Sequence, residues 1–159
     1  MKARIHVLTL GVSDLERSLA FYRDGLGLAS TGILGTEFPG SETKPAGATA
    51  MFTLDDGLVL SLYPRSELEK DAGLAAGRLA GSGVSLGHTV QRREDVDGLL
   101  EAARRAGAVV HGSPHERPWG IYAGHFSDPD GHLWEVVYFL PGKGSVAGDP
   151  ARATSGSAS

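Results

Sequence analysis

The chain has 159 residues, and its 15 Lys and Arg against 19 Asp and Glu give a formal net charge of −4 at pH 7. Its hydrophobic share of 41% and charged share of 21% are ordinary for a globular protein, and the length suits one domain. The absence of cysteine excludes disulfides, zinc ribbons, iron–sulfur clusters and a thiol nucleophile. The mildly acidic balance, without a Lys/Arg cluster, argues against a nucleic acid partner. No apolar run is long enough to span a membrane, so we expect a cytoplasmic protein with no membrane role.

The first half of the chain predicts a strand, a helix and three further strands. Alternating apolar residues predict a strand over 5–12, and apolar residues at helical spacing predict a helix over 14–22. Gly25 and Gly27 are expected to end this helix in the left-handed conformation that glycine permits. The three short strands that follow are predicted near 28–34, 48–54 and 58–63.

The second half repeats this order after a short predicted helix over 64–74 and a glycine-rich stretch. The elements predicted there are a strand over 84–91, a helix over 93–106 and strands near 108–111, 121–126 and 133–139. The chain therefore contains two copies of strand–helix–strand–strand–strand, offset by about 78 positions. Residues 141–159 are rich in Gly, Ser and Ala and predict a disordered tail.

Two segments carry a resemblance to a known family. The first runs from Leu10 to Ser18 (LGVSDLERS) and is followed by Phe21-Tyr22 and a Leu-Gly-Leu step. The second runs from Phe126 to Val136 (FSDPDGHLWEV). Together with the doubled order of elements, they make residues 4–140 resemble the vicinal-oxygen-chelate superfamily. This is the group of glyoxalase I, bleomycin-resistance proteins, fosfomycin-resistance enzymes and extradiol dioxygenases.

The resemblance implies an α+β fold in which two tandem βαβββ modules form a curled, barrel-like mixed sheet around a cavity. The expected domain covers 1–140, with modules at 4–63 and 84–140 and a linker at 64–83. Members of the family tend to be dimers, so a homodimer is expected, with a small molecule as the other partner. Whether the cavity is built within one chain or across the dimer stays open.

The resemblance also places four metal ligands in metal-using members, in the first and last strand of each module. Carried over to this sequence, these positions hold Val7, Ser61 (or Leu60, with a slip of one residue), Ser85 and Glu135. One carboxylate among such side chains does not make a divalent-metal site, because these metals need three or more nitrogen or oxygen ligands. No cofactor is therefore expected, and if a metal binds, Glu135 is a ligand.

His125 lies ten residues before Glu135, across a predicted turn, where the resemblance places a cavity-facing acid/base residue. The two side chains are candidates for a catalytic proton-transfer pair. The alternative, that His125 only hydrogen-bonds to Glu135 or lines the rim, stays open. His111 and His115 are expected in a loop near the cavity mouth, and His132 in an exposed turn.

Ligand contacts are expected mainly from aromatic and hydroxyl side chains. Trp119-Gly120 resembles the Trp-Gly step of bleomycin-resistance proteins, where the aromatic ring lines a binding groove. The residues expected to contact a ligand are Trp119, Tyr122, Phe52, Tyr63, Ser61, Ser85 and Arg117.

Three functions are compatible with this sequence. The first is metal-independent binding of a small organic molecule in the cavity, resembling drug-sequestering resistance proteins. The second is a metal-free isomerase, lyase or cyclase that uses His125 and Glu135 as acid and base. The third is a metal-dependent lyase or dioxygenase whose ligands include Glu135. The sequence favours the first, and whether the chain catalyses a reaction stays open.

Overall fold

A computed structural model describes residues 5–79 and 83–142 of the chain. Beyond Gly142, the predicted disordered tail lies outside the described residues. The elements are β1 (Val7–Val12), α1 (Leu15–Ala20), β2 (Ile33–Leu34), β3 (Thr49–Thr53), β4 (Val59–Pro64), α2 (Arg65–Asp71), β5 (Ser85–Thr89), α3 (Arg93–Arg105), β6 (Val109–Arg117), β7 (Ile121–Ser127) and β8 (Leu133–Phe139). Within these ranges, no helix has the length and apolar character needed to cross a membrane.

The eight strands form two sheets of the same topology. The strand orders are β1-β4-β3-β2 and β5-β8-β7-β6. In each sheet the first and last strands of the module, β1 with β4 and β5 with β8, pair in parallel, and the other pairs are antiparallel. The α+β class and the tandem βαβββ modules predicted from the sequence are therefore confirmed.

Side chains alternate between two faces of these sheets, as the period of a strand requires. We call the side packed against α1 and α3 the helix face and the opposite side the open face. Even-numbered strand residues such as Leu10, Leu62 and Val136 lie on the helix face, each at most 7% exposed. They belong to one hydrophobic cluster that spans both modules. The odd-numbered strand residues therefore form the open face.

The hairpin between β7 and β8 joins the second module to the helix of the first. The Asp130 carboxylate accepts hydrogen bonds from the Ser13 amide at 2.8 Å and from the hydroxyls of Ser13 and Ser18 at 2.6 Å each. Arg17 adds an ion pair at 3.1 Å. Asp14 caps α1 by accepting the Arg17 amide at 3.0 Å. These contacts fix the start of α1 against the second module.

The first helix extends beyond the predicted span of 14–22, because a π-helical turn continues it over Phe21–Gly25. Gly27 has a φ of 78° and adopts the predicted left-handed conformation, whereas Gly25 stays helical. A Cβ at Gly25 would lie 2.4 Å from the Cβ of Ala106. Gly25 is therefore required for close packing against the end of α3, and not for a turn.

Two strands differ in length from the prediction. The strand expected over 28–34 is reduced to Ile33–Leu34, whereas the strand expected over 108–111 continues to Arg117. His111 and His115 thus lie on β6 and not in a loop, with a register shift between them. Pro114 lies within β6, which is an edge strand, where a residue without an N–H is tolerated.

Candidate functional site

A histidine and a carboxylate lie side by side on the open face of the second sheet. His125 of β7 and Glu135 of β8 are directly opposite in register, and His125 Nε2 lies 3.4 Å from Glu135 Oε1. Their side chains are 30% and 31% exposed, so solvent or a ligand can reach both. The predicted pairing of these two residues is present, in a geometry that can relay a proton.

An apolar cluster adjoins this pair on the same face. Ile121, Ala123 and Val137 are each at most 8% exposed, and Phe139 packs against them. Ala123 and Val137 are register partners, two residues along β7 and β8 from His125 and Glu135. The open face of the second module therefore presents an apolar surface next to a polar pair, which is typical of small-molecule sites.

The residues at the family's metal-ligand positions do not fit a divalent ion. Val7 has no donor atom, and the Ser61 hydroxyl is 4% exposed and 3.1 Å from the Thr49 hydroxyl. His111 is the register partner of His125, but its Nε2 lies 2.8 Å from the Ser127 hydroxyl. In the described part of the chain, no three His, Asp or Glu side chains converge as a metal site would require. We therefore derive no chemistry through a metal.

A cavity of about 680 Å³ lies between the edge strands β1 and β5. Its size is within the range of ligand pockets, roughly 300–1,000 Å³. Residues of both modules line it: Leu8, Thr9, Leu10, Gly11, Arg65, Leu68, Leu79, Gly83, Val84, Ser85, Leu86, Asp130, Gly131, His132 and Leu133. Four leucines from the strands and two from the region of α2 make its walls largely apolar.

Arg65, the first residue of α2, is a cation in this wall that the sequence analysis missed. Its Nη2 donates to the Gly11 carbonyl at 3.2 Å. Its Cγ would lie 3.4 Å from a Cβ at Gly11, so the missing side chain lets the stem of Arg65 lie against β1. No sequence signal marks this residue, because an arginine four positions before Glu69 normally indicates a solvent-exposed helical ion pair.

Among the residues predicted to contact a ligand, Ser85 lines the cavity and the others do not. Trp119 is 66% exposed in the hairpin between β6 and β7. Arg117 lies on the open face as the register partner of Ile121, and its Nη1 is buried without a hydrogen-bond partner among the described residues. The Tyr63 hydroxyl donates to the Ala46 carbonyl. The predicted set is thus spread over several places and does not form one wall.

Phe52 and Tyr122 lie on the helix face and not on the open face. Phe52 is fully buried in the core, with its ring centroid 5.9 Å from that of Tyr22. The Tyr122 hydroxyl donates to Asp97 of α3 at 3.1 Å, and the Arg93 guanidinium lies 4.1 Å from its ring centroid. Both are even-numbered strand residues, so the alternation directs them towards the helices.

His132 is held by a buried carboxylate and is not the exposed turn residue that was predicted. Its Nδ1 lies 2.9 Å from Oδ2 of Asp128, which also accepts the Tyr22 hydroxyl at 2.6 Å. Burial alone would raise the pKa of Asp128, but the hydrogen bonds from His132 and Tyr22 lower it below its ordinary value. Because an ionised carboxylate only accepts hydrogen bonds, Nδ1 of His132 carries the proton. Its Nε2 is then available on a residue that lines the cavity.

Known proteins are similar to this chain over most of its length. The model of the Glyoxalase/Bleomycin resistance protein/Dioxygenase superfamily matches residues 4–136. The uncharacterized protein YraH of Bacillus subtilis (strain 168) is 27% identical over 138 residues, 84% of this chain and 96% of that protein. The crystal structure of a glyoxalase-related enzyme from Fulvimarina pelagi has 29% identity and a TM-score of 0.71, over 92% of this chain and 98% of that one. The crystal structure of a glyoxalase/bleomycin resistance protein/dioxygenase from Nocardioides has 25% identity and a TM-score of 0.69, over 93% of this chain and 91% of that one.

Proposed function

The chain belongs to the Glyoxalase/Bleomycin resistance protein/Dioxygenase superfamily, and on that premise we propose that it binds a small organic molecule, without a metal, in the cavity between β1 and β5. The observation that carries this proposal is the cavity itself, about 680 Å³ in volume and lined by both modules. Its walls are mainly apolar, with polar groups from Thr9, Arg65, Ser85, Asp130 and His132. Such a lining favours an organic ligand with a large apolar part.

A cavity-blocking variant tests this proposal with the neutral fluorescent probe N-phenylnaphthylamine, which brightens in apolar surroundings. Ser85 is exposed on β5 and lines the cavity, so Ser85→Trp fills the space without removing a core contact. Thr53→Trp is the matched control, because Thr53 is an exposed strand residue outside the lining.

We expect saturable binding of about one probe per chain, lost in Ser85→Trp and retained in Thr53→Trp. Wild-type protein that does not bind the probe, or Ser85→Trp protein that binds it equally well, would contradict the proposal. The melting temperature of each variant verifies that both remain folded.

A second candidate function is metal-free proton transfer, as in an isomerase or lyase. One observation favours it: the 3.4 Å contact between His125 Nε2 and Glu135 Oε1 beside the apolar cluster on the open face. In such a reaction the Glu135 carboxylate accepts a proton from carbon, and a protonated His125 donates one to the atom where negative charge develops.

Solvent exchange tests this second candidate without a known product. A panel of small carbonyl compounds is incubated in D2O, and deuterium incorporation beside the carbonyl is followed by NMR. Catalysed exchange that is lost in both His125→Ala and Glu135→Gln supports a proton-transfer role. Exchange that equals the buffer rate for the whole panel counts against it and leaves the binding proposal unaffected.

A further inference from the structure

We propose that the ligand of the cavity is an amphipathic organic anion, with its anionic group held by Arg65 and its apolar body held by the leucine walls. This inference rests on the proposed binding function and names the chemical class of its ligand. Arg65 is not among the site residues predicted from the sequence.

Arg65 has spare hydrogen-bonding capacity inside the cavity wall. Its partly buried guanidinium has five N–H donors, and the structure gives it one acceptor, the Gly11 carbonyl at 3.2 Å. No ion pair involves Arg65 among the described residues. A carboxylate, sulfonate or phosphate can accept two parallel N–H donors from such a group.

The carboxylate at ion-pair spacing from Arg65 on the same helix already accepts other hydrogen bonds. Glu69 lies one turn further along α2 and is 5% exposed. Its two carboxylate oxygens accept the amides of Gly77 and Leu79, each at 3.0 Å. Glu69 therefore anchors the chain that follows α2, and it interacts with Arg65 through charge only, without an ion pair among the described residues.

Besides Arg65, the cavity wall contains the charged residue Asp130. The Asp130 side chain is 1% exposed, and its oxygens are occupied by Ser13, Ser18 and Arg17. Its charge is thus directed towards α1 and compensated there. Its neighbour His132 lies in the same wall and donates through Nδ1 to Asp128, so it adds no negative charge to the cavity. Arg65 therefore determines the sign of charge that the cavity prefers.

Apolar surroundings strengthen this preference. Leu68 and Leu79 line the cavity together with Arg65, as do the strand leucines. An ion pair in such surroundings is less screened than one at the surface, while a ligand without a large apolar part gains little from the walls. A simple inorganic anion is therefore a poor ligand, and an anion attached to an apolar body is a good one.

The test compares two fluorescent probes that share an apolar body. Anilinonaphthalene sulfonate carries an anionic group, and N-phenylnaphthylamine does not. Both are titrated against wild-type protein, Arg65→Gln and Arg65→Lys. The matched control is Arg105→Gln, which makes the same charge change at a side chain that is 67% exposed on α3. Melting temperatures and near-ultraviolet circular dichroism verify that each variant is folded.

We expect Arg65→Gln to lower the affinity for the sulfonate probe by about tenfold and to change the affinity for the neutral probe by no more than about twofold. Arg65→Lys should recover part of the loss, and Arg105→Gln should have no effect. If Arg65→Gln lowers the affinity for both probes equally, or does not lower the affinity for the sulfonate probe, the assignment of Arg65 is overturned while the binding proposal stands. If neither probe binds, or if Ser85→Trp reduces the binding of neither, the proposed function itself fails.

Discussion

The hydroxyl of Tyr22 donates a buried hydrogen bond of 2.6 Å to Asp128, across 106 positions of the chain. Tyr22 belongs to the π-helical turn of the first module, and Asp128 begins the hairpin of the second. Trp134 Nε1 donates in turn to the Tyr22 oxygen at 3.1 Å. Burial and the neighbouring carboxylate raise the pKa of Tyr22, so its hydroxyl remains a donor throughout the range in which the protein is studied. The junction of the two modules therefore contains a polar contact inside the core.

Removing this hydroxyl should destabilise the protein. Tyr22→Phe takes one donor from Asp128 and leaves Trp134 Nε1 without its acceptor, so we expect a loss of about 1–3 kcal/mol in the free energy of unfolding. The matched control is Tyr138→Phe, because the Tyr138 hydroxyl makes no hydrogen bond among the described residues, and its loss should stay below about 0.5 kcal/mol. Urea denaturation measures both, and equal effects would contradict a special role for the Tyr22 contact.

Acid should weaken the junction through Asp130. Burial alone would raise the pKa of Asp130, but hydrogen bonds from Ser13 and Ser18 and the charge of Arg17 lower it overall. A carboxyl whose pKa is lower in the folded state than in the unfolded state stabilises the folded protein at pH values above the unfolded pKa, which is about 3.9 for Asp. This contribution is lost as the pH falls below that value and through the folded pKa.

Comparing wild type with Asp130→Asn isolates that contribution. We expect the variant to be less stable near neutral pH, and the stability difference to shrink as the pH falls below about 4. Thermal unfolding from neutral to acid pH measures the difference. A difference that is constant with pH would show that the carboxylate charge does not matter.

Two glycines on the second sheet should respond oppositely to alanine. A Cβ at Gly124 would lie 2.5 Å from Cδ1 of Leu100 and 3.1 Å from Cβ of Pro114, so Gly124→Ala should destabilise by about 1–3 kcal/mol. A Cβ at Gly87 meets nothing within 4 Å, and its φ is not in the left-handed region. Gly87→Ala should therefore be neutral or stabilising by up to about 1 kcal/mol, as measured by denaturant titration.

Trp119 should not contribute to binding in the cavity. It is 66% exposed and outside the lining, so Trp119→Ala should leave the affinity for N-phenylnaphthylamine and the melting temperature unchanged. A clear loss of affinity would mean that the ligand extends to the hairpin between β6 and β7, as the Trp-Gly resemblance implies. Fluorescence titration separates the two outcomes.

Divalent metals should not bind stoichiometrically. Mass spectrometry of protein dialysed with each of Mg, Mn, Fe, Ni and Zn should find well below one metal per chain, because Val7 and Ser61 offer no suitable donor beside Glu135. A finding of one metal per chain, lost in the Glu135→Ala variant, would contradict this prediction. That result would require His111 to leave Ser127 and join His125, and it would favour the metal-dependent alternative.

The order of elements could be predicted because each element carries a local signal. The strand period, the capping of α1 and the turn residues around Asp128 are visible in the sequence, and the structure contains the corresponding elements. The adjacency of His125 and Glu135 was also predictable, since a hairpin fixes which residues of its two strands are opposite.

The cavity could not be predicted, because it depends on contacts between distant segments. Arg65 reaches β1 only because Gly11 leaves room and because Glu69 is bound to the chain that follows α2. Phe52 and Tyr122 were assigned to a ligand by residue type, whereas strand parity places them on the helix face. Their even-numbered positions already contained this information.

Strand parity also bears on how such a protein can diversify. Helix-face residues hold the two modules together, whereas odd-numbered residues such as Thr9, Ser85 and Glu135 face away from that core. Substitutions at these positions can change which molecule the protein binds, at little cost in packing. Mutational drift can therefore explore new ligands while the scaffold persists, and libraries restricted to exposed odd-numbered positions such as Thr9 and Ser85 offer a direct route to redesigned binding.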